Sequence, residues 1–186
     1  MLKSRTLRFA PASQSELIVF GSARPGYHDK QVREWIEFMR HQNIQRISCL
    51  LTASQLMRYT DLLDTYRQFF GPDRVCWTPI EDLQLADSNT LIYQVLPFLS
   101  IADVKQEKVV VHCSAGIGRT GQVLAAWLVA KRGFAVQAAI ASVKASKRNP
   151  YEAVIAAPFR GHSPCKVASE LHQLLNKCSQ LSGQSD

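Results

Sequence analysis

The stretch from Lys108 to Gly133 constrains the fold of this chain more than any other part of the sequence. Lys108–Val111 is a short β-branched run, typical of a buried strand. Residues 122–130 are mostly apolar at helical spacing and are followed by two basic residues and a glycine, which are typical of a helix end. Between them His112–Gly121 reads His-Cys-Ser-Ala-Gly-Ile-Gly-Arg-Thr-Gly. The sequence therefore predicts a strand, a glycine-bearing loop and a helix in that order.

A loop of this composition predicts an anion site. Gly116 and Gly118 allow backbone amides to point inward without obstruction by a Cβ atom, and the positive end of the following helix adds to their field. Arg119 carries a planar guanidinium that can bind two phosphate oxygens at once. We therefore expect the loop to hold a phosphoryl group.

The same field would act on Cys113, the first residue of the loop. A free thiol has a pKa near ~8.5, which falls to roughly 3.5–7.5 at a helix N-terminus beside a cation, so the sulfur is expected to be a nucleophilic thiolate. We expect His112 to orient the loop by hydrogen bonding rather than to act as a base, because a thiolate needs none. Thr120 could donate its hydroxyl to the sulfur as it leaves. The alternative is a buried structural cysteine.

The string from His112 to Gly121 resembles the signature of the cysteine-dependent protein tyrosine phosphatase superfamily. The resemblance implies that Cys113 forms a phosphocysteine intermediate, that Arg119 binds the phosphoryl group and that Thr120 assists hydrolysis, without metal or cofactor. The remaining substrate-binding positions of the loop are Ser114, Ala115, Gly116, Ile117 and Gly118.

Cleavage of a phosphate ester also requires an acid that protonates the leaving oxygen. The segment Trp77–Asp87 follows a predicted parallel strand and contains three carboxylates. Asp82 is the preferred candidate, because Pro-Ile-Glu-Asp at this point resembles the acid loop of many compact relatives. Glu81 is the second candidate, whereas Asp87 precedes a helical run and is expected to be its N-cap.

Strands and helices alternate along the chain. Apolar patterns predict strands near residues 17–20, 47–51, 75–80 and 108–111, and helices near residues 29–41 (with Asp29 as N-cap), 53–70, 88–104, 122–130, 135–147 and 165–180. This order predicts an α/β fold, a mostly parallel central sheet flanked by helices, formed by residues 1–186 as a single domain with a frayed tail at about 182–186. From about Phe20 to the last helix it resembles the compact dual-specificity branch of the superfamily.

Composition narrows the setting. The net charge of +7 suits an anionic substrate, although a generally solvated basic surface explains it equally well. Five scattered cysteines favour a reducing compartment over disulfides or a zinc site. No run of about eighteen apolar residues predicts a membrane span, and no basic–aromatic pattern predicts nucleic-acid binding. We expect a cytoplasmic protein, and nothing in the sequence assigns an oligomeric state.

A few further residues fit two interpretations. Arg24 could line the pocket or belong to a turn set by the following Pro-Gly, and Lys147, Arg148 and Asn149 could approach the phosphate or simply end a helix. Cys49 and Cys76 could pair with Cys113 under oxidation or be structural. These residues are the secondary candidates of the sequence.

The predicted function is hydrolysis of phosphotyrosine, and of phosphoserine and phosphothreonine, in phosphorylated protein substrates. A non-protein substrate such as a phosphoinositide would suit the same loop, but the absence of lysine at Ser114, Ala115 and Ile117 disfavours it. A phosphate-binding module without turnover would also fit these residues, as would a thiol redox enzyme such as an arsenate reductase.

Overall fold

The computed structural model describes residues 7–180 and shows one five-stranded sheet in the order β1-β2-β5-β3-β4. The strands are β1 Ala10–Pro11, β2 Val19–Ala23, β3 Ile44–Cys49, β4 Val75–Trp77 and β5 Lys108–Cys113. All neighbouring pairs are parallel except β1 with β2, so the predicted mostly parallel sheet is confirmed, with an unpredicted antiparallel edge. The strand that leads into the cysteine loop lies at the centre.

The central strand alternates its side chains between two hydrophobic clusters. Val109, Val111 and Cys113 belong to the cluster on one face, and Val110 belongs to the cluster on the other. Successive residues of a strand point to opposite faces, and both faces of β5 are covered by helices. This explains why β5 reads as an unbroken apolar run.

Helices cover both faces of the sheet. Their bounds in chain order are α1 Asp29–His41, α2 Ala53–Leu56, α3 Leu62–Phe70, α4 Ser88–Thr90, α5 Leu96–Val104, α6 Gly118–Arg132, α7 Val136–Ala145, α8 Glu152–Ala156 and α9 Pro164–Ser179. A π-helical segment, Leu91–Val95, joins α4 to α5, and single 3-10 turns lie at Pro72–Arg74 and Ala157–Arg160. Helices α1 and α3 pack on one face, and α5, α6, α7 and α9 pack on the other.

Several local predictions differ from the structure, among them the strand expected over residues 75–80, which ends at Trp77. The helix expected over residues 53–70 is broken between α2 and α3, because Asp61 begins a new helix by accepting a hydrogen bond from the Asp64 N–H (3.2 Å). Asp29 is the first helical residue rather than the N-cap, a position held by His28. The short helix α8 was not predicted, since its five residues are too few to show a period.

An ion cluster lies at the C-terminal end of α6. Arg132 contacts Glu16 (2.9 Å) and Asp103 (2.6 Å), and the indole N–H of Trp127 donates to Glu16 (2.9 Å). Burial raises the pKa of Glu16, but the hydrogen bonds from Arg132 and Trp127 outweigh it, and the net effect is a lowered pKa. The cluster fixes α6 to the segment before β2 and to the end of α5.

Two expectations concern the whole chain. No helix within residues 7–180 is long and apolar enough to cross a membrane. The frayed tail expected at residues 182–186 lies outside the described residues, and the assignment of residues 1–186 to a single domain stays a prediction.

Candidate active site

The predicted phosphate loop connects the end of β5 to the start of α6. Cys113 is the last residue of the strand, and Gly118 is the first of the helix. Gly116 has φ +71°, and a Cβ atom there would lie 2.5 Å from the Ser22 carbonyl oxygen. A side chain at this position would be both strained and obstructed, so the close turn requires glycine.

Neighbouring strands hold the loop on both sides. The Leu50 N–H donates to the His112 carbonyl (2.9 Å), and the Arg24 N–H donates to the Ser114 carbonyl (3.2 Å). Leu50 follows β3 and Arg24 follows β2, the two parallel neighbours of β5. The loop therefore lies at the carboxyl edge of the sheet, where ligands of open α/β sheets bind.

Arg119 is almost completely buried and uses its guanidinium unequally. Nη1 donates to the Ile80 carbonyl (2.9 Å), to Gln55 Oε1 (3.0 Å) and to the Leu50 carbonyl (3.4 Å). Nε and Nη2 have no hydrogen-bond partner among residues 7–180, although Nη2 lies 3.1 Å from Asp82 Oδ1 in an ion pair. One side of the fork is thus fixed to the scaffold, and the Nε–Nη2 edge has the geometry to bind two oxygens of an anion.

The structure brings Asp82, rather than Glu81, into contact with the arginine. The Asp82 side chain is 55% exposed and forms the ion pair with Arg119 just described. Asp87 accepts hydrogen bonds from the Thr90 N–H (2.8 Å) and hydroxyl, which confirms the predicted N-cap. Of the three carboxylates in the segment, Asp82 has the placement that a proton donor requires; its role stays a prediction.

Residues 78–87, between β4 and α4, contain Asp82 and are called the acid loop here after the role predicted for it. Two residues that the sequence did not single out hold this loop in place. Gln122 Oε1 accepts from the Ala86 N–H (2.9 Å), and its Nε2 donates to the Gln84 carbonyl (3.1 Å). Arg160 donates to the carbonyls of Asp82 (3.2 Å) and Leu83 (3.3 Å). Gln122 is a polar side chain on a buried and mostly apolar helix, so the sequence shows that it is unusual but not which residues it contacts.

Glu152, the first residue of α8, adds an unpredicted carboxylate beside the phosphate loop. A Cβ atom on Gly118 would overlap Glu152 Oε2. Burial, and then the charge of Asp82, raise the pKa of Glu152, against a hydrogen bond from the Gly118 backbone and the charge of Arg119. The glycine at position 118 thus leaves space for the Glu152 side chain, a contact that no local sequence pattern predicts.

His112 is buried between aromatic rings. Its Nε2 lies 3.2 Å from the Tyr66 hydroxyl, and its ring packs edge-on against Trp35 and Tyr66. Burial lowers the pKa of His112 to about 3, with the charges of Arg119 and Arg24 acting in the same direction. A neutral imidazole fixed in this way is unsuited to act as a cationic acid at neutral pH, and its expected role in orienting the loop stays a prediction.

Thr120 is buried one residue beyond Arg119. Its hydroxyl has no hydrogen-bond partner among the described residues, so its proton is available to an acceptor in the loop. The expected assistance to a leaving sulfur agrees with this free hydroxyl and stays a prediction.

Arg148 has a structural environment. Its terminal nitrogens donate to the carbonyls of Ser146 (2.9 Å), Arg8 (2.8 Å) and Ala10 (3.4 Å), and burial lowers its pKa to about 10. The guanidinium thus binds the start of β1 and the residues before it to the chain after α7, and backbone carbonyls occupy both of its terminal nitrogens.

The two cysteines proposed as redox partners lie on β3, which neighbours the strand that leads into the loop, and on β4, one strand further out. Cys49 is completely buried and pairs in register with His112, and burial raises its pKa to about 12. Cys76 is half-buried, and its pKa is also raised by burial. Both are free thiols. Within residues 7–180, no group of three His, Cys, Asp or Glu side chains is placed to hold a metal ion.

A strand-end cysteine, a glycine loop, a buried arginine with one free edge and a carboxylate from the next loop define the cysteine-dependent protein tyrosine phosphatase superfamily. The family model described as the dual specificity phosphatase catalytic domain matches residues 41–154. The chain belongs to this family.

Two dual specificity protein phosphatases are similar to this chain over part of their length. Human dual specificity protein phosphatase 5 is 32% identical over 68 residues, covering 37% of this chain and 18% of that protein. Mouse dual specificity protein phosphatase CDC14B is 28% identical over 131 residues, covering 69% of this chain and 23% of that protein. This chain therefore spans less than a third of the length of either relative.

Solved structures share the fold over nearly the whole chain. Kinase-associated phosphatase, with serine in place of its catalytic cysteine, superimposes with a TM-score of 0.67 at 21% identity, covering 89% of this chain and 88% of that one. Tk-PTP in its active form gives 0.62 at 23% identity, with 84% and 92% covered. PTPMT1 in complex with PI(5)P gives 0.63 at 14% identity, with 91% and 97% covered. Such identities establish the fold alone.

Proposed function

We propose that this protein is a cysteine-dependent phosphatase that hydrolyses phosphotyrosine, and also phosphoserine and phosphothreonine, in proteins. The observation that carries the proposal is the free Nε–Nη2 edge of the buried Arg119, beside the cysteine loop and within 3.1 Å of the Asp82 carboxylate. Nε has no partner among the described residues and Nη2 has only the ion pair with the exposed Asp82 carboxylate, and a buried donor left unpaired is costly unless a ligand uses it. A phosphoryl group supplies the two oxygens that such an edge binds.

The first chemical step transfers the phosphoryl group to the enzyme. The Cys113 thiolate attacks phosphorus, an S–P bond forms and the bond from phosphorus to the substrate oxygen breaks. Asp82 gives its proton to that oxygen, while Arg119 and the backbone N–H groups of residues 114–118 bind the oxygens of the transferred group. The product of this step is a phosphocysteine.

The second step returns the enzyme to its starting state. A water molecule gives a proton to the Asp82 carboxylate and attacks phosphorus, so that a P–O bond forms as the S–P bond breaks. The Thr120 hydroxyl stabilises the sulfur as it becomes a thiolate. Inorganic phosphate is released, and none of these steps requires a metal ion or a cofactor.

Turnover by the intact protein and by a Cys113→Ser variant tests the proposal. The wild type should release phosphate from an aryl phosphate and from phosphotyrosine and phosphothreonine peptides, and acid quenching should trap a phosphoryl adduct on Cys113. The variant should bind a phosphotyrosine peptide without turning it over. Activity retained by the variant would contradict the mechanism, and a wild type that binds phosphate without turnover would favour the binding module.

The substrate class needs its own comparison. A panel of phosphotyrosine, phosphothreonine and phosphoserine peptides and inositol phospholipids, with the Cys113→Ser variant as background, separates the protein substrate from the lipid one. PTPMT1, which shares the fold, has a solved structure in complex with PI(5)P. If kcat/KM is higher for the lipids than for every peptide, the proposed protein substrate is wrong and the substrate is a lipid. Cytoplasmic location stays a prediction.

A further inference from the structure

The turn after β2 lies against the phosphate loop at the side of the cysteine. Arg24, the first residue of the turn, binds Ser114 twice, through its N–H to the Ser114 carbonyl (3.2 Å) and through Nε to Oγ (3.4 Å). Ser114 directly follows Cys113. The side chain of Arg24 therefore stands at the rim of the site, next to the residue that follows the nucleophile.

Two arginines share one aromatic ring at this rim. The guanidinium carbon of Arg24 lies 3.6 Å from the centroid of the Tyr27 ring, and that of Arg58 lies 4.0 Å from the same centroid. Both guanidinium groups therefore lie within 4.0 Å of the centroid of the same ring. Cation–π attraction holds both groups in place.

The neighbouring tyrosine fixes the arrangement. Tyr59 accepts a hydrogen bond from Arg24 Nη1 (3.1 Å) and donates its own to the Pro25 carbonyl (2.9 Å). Its ring lies 5.0 Å from that of Tyr27. Arg24 and Tyr27 are thus held before any ligand arrives, which lowers the entropy that binding must cost.

Neither positive charge is neutralised within the described part of the chain. The ion pairs there involve other arginines, and the two acidic residues nearby have other contacts. Asp29 accepts from the Thr60 hydroxyl (3.1 Å), and Asp61 caps α3. The side chain of Arg58 is exposed. The two arginines therefore place positive charge without an ion-pair partner among the described residues beside the phosphate loop.

We propose that Arg24 and Arg58, both held against the ring of Tyr27, form a subsite for an acidic side chain next to the phosphorylated residue of a protein substrate. Arg24 keeps Nη2 for a carboxylate oxygen, because its Nε donates to Ser114 Oγ and its Nη1 donates to the Tyr59 hydroxyl and the Pro25 carbonyl. The exposed guanidinium of Arg58 can bind the same carboxylate in a planar, two-point geometry. The net charge of +7 adds attraction at longer range. This inference rests on the proposed protein phosphatase function.

A pair of phosphotyrosine peptides that differ only in flanking residues, glutamate in one and glutamine in the other, provides the test. The readout is the ratio of kcat/KM for the two peptides, measured on the same protein preparation so that a loss of folded protein cancels. The wild type should prefer the glutamate peptide, and Arg58→Ala should reduce that preference by about two- to fivefold, the size expected of an exposed ion pair. Arg58→Glu should reverse it in favour of a lysine-flanked peptide.

Arg40→Ala is the matched control, because Arg40 is an exposed arginine in the last turn of α1, outside the rim. It should keep the wild-type ratio. A preference for glutamate that survives in both Arg58 variants, or one that is lost equally in Arg40→Ala, would overturn the subsite.

Failure of the subsite can be distinguished from failure of the proposed function. If the wild type hydrolyses an aryl phosphate but no peptide, the proposed protein substrate is wrong. The same two peptides are then compared for binding to Cys113→Ser and to the double variant that also carries Arg58→Ala. Tighter binding of the glutamate peptide that depends on Arg58 supports the subsite on its own. Equal binding of both peptides to Cys113→Ser overturns it.

Discussion

Asp82 Oδ1 lies 3.1 Å from Arg119 Nη2, so a half-exposed carboxylate rests on the free edge of a buried guanidinium. Nε and Nη2 are the donors that a phosphoryl group would use. A bound phosphoryl group would therefore replace the carboxylate at Nη2 and leave Asp82 beside the oxygen that has to be protonated. Under the proposed mechanism, substrate binding and the placement of Asp82 are coupled through this one pair of atoms.

The first prediction tests Asp82 as the acid. Asp82→Asn should lower kcat for an aryl phosphate with a poor leaving group by about 100-fold or more, because general acid catalysis contributes on that order, and should affect a good leaving group far less. Steady-state rates over a series of aryl phosphates give the measurement. Glu81→Gln and Asp87→Asn are the controls, and an equal loss in either would contradict the assignment.

The second prediction concerns Gln122, which holds the acid loop through Ala86 and Gln84. Gln122→Ala leaves the buried Ala86 N–H unpaired, at a cost of ~1–3 kcal/mol, releases the half-buried Gln84 carbonyl, and should loosen the loop. We expect kcat for poor leaving groups to fall about tenfold, which corresponds to the free-energy cost of about one unpaired buried group. Because Gln84 contributes its carbonyl rather than its side chain, Gln84→Ala should retain activity.

A double variant separates loop positioning from general destabilisation. In an Asp82→Asn background, Gln122→Ala should cause little further loss of kcat, because the group it positions is already absent. Independent, multiplicative losses would mean that Gln122 acts on something other than the acid.

The features that local sequence determines were predictable. The run of valines on β5 and the glycines that follow it specify a strand and a close turn, and Asp87 before a helix specifies a cap. Contacts between distant segments were not predictable from the sequence. The approach of Glu152 to Gly118 and the bonds from Gln122 to the acid loop depend on how helices pack, and helix packing has no local sequence signal.

The break between α2 and α3 shows the same limit at short range. Apolar residues recur at helical spacing through residues 53–70, which favours one helix, but Asp61 caps a second helix within that range. A capping hydrogen bond contributes ~1 kcal/mol, enough to redirect a chain whose helical preference is weak. Periodicity locates the buried face of such a segment but not the points where its helices begin.

The third prediction uses the raised pKa of Glu152. As pH rises, Glu152 ionises beside Gly118, and its negative charge should weaken binding of an anion in the loop. Glu152 titrates above pH 4.5, the ordinary pKa of its carboxyl group. Sulfate is the suitable probe, because its own charge is constant above that pH. Its inhibition constant should increase with pH more in the wild type than in Glu152→Gln, and parallel curves would show that Glu152 does not affect the loop.

The fourth prediction concerns acid stability and His112. Its pKa is about 3 in the folded protein and 6.5 when unperturbed, so below pH 6.5 the unfolded chain binds a proton that the folded one does not. Stability is therefore lost as pH falls from about 6.5 towards 3, with a slope that approaches ~1.4 kcal/mol per pH unit. Urea unfolding of the wild type and of His112→Asn between pH 4.5 and 7.5 should show this extra loss in the wild type alone. Identical slopes would disprove it.

Helix α6 begins in the phosphate loop at Gly118 and ends in the ion cluster at Arg132. Fifteen residues at ~1.5 Å each place roughly 20 Å between these ends. Substitutions near Glu16 or Asp103 can therefore raise or lower the melting temperature without displacing Arg119. The melting temperature of this protein can therefore change through one end of a helix while the loop at its other end keeps its geometry.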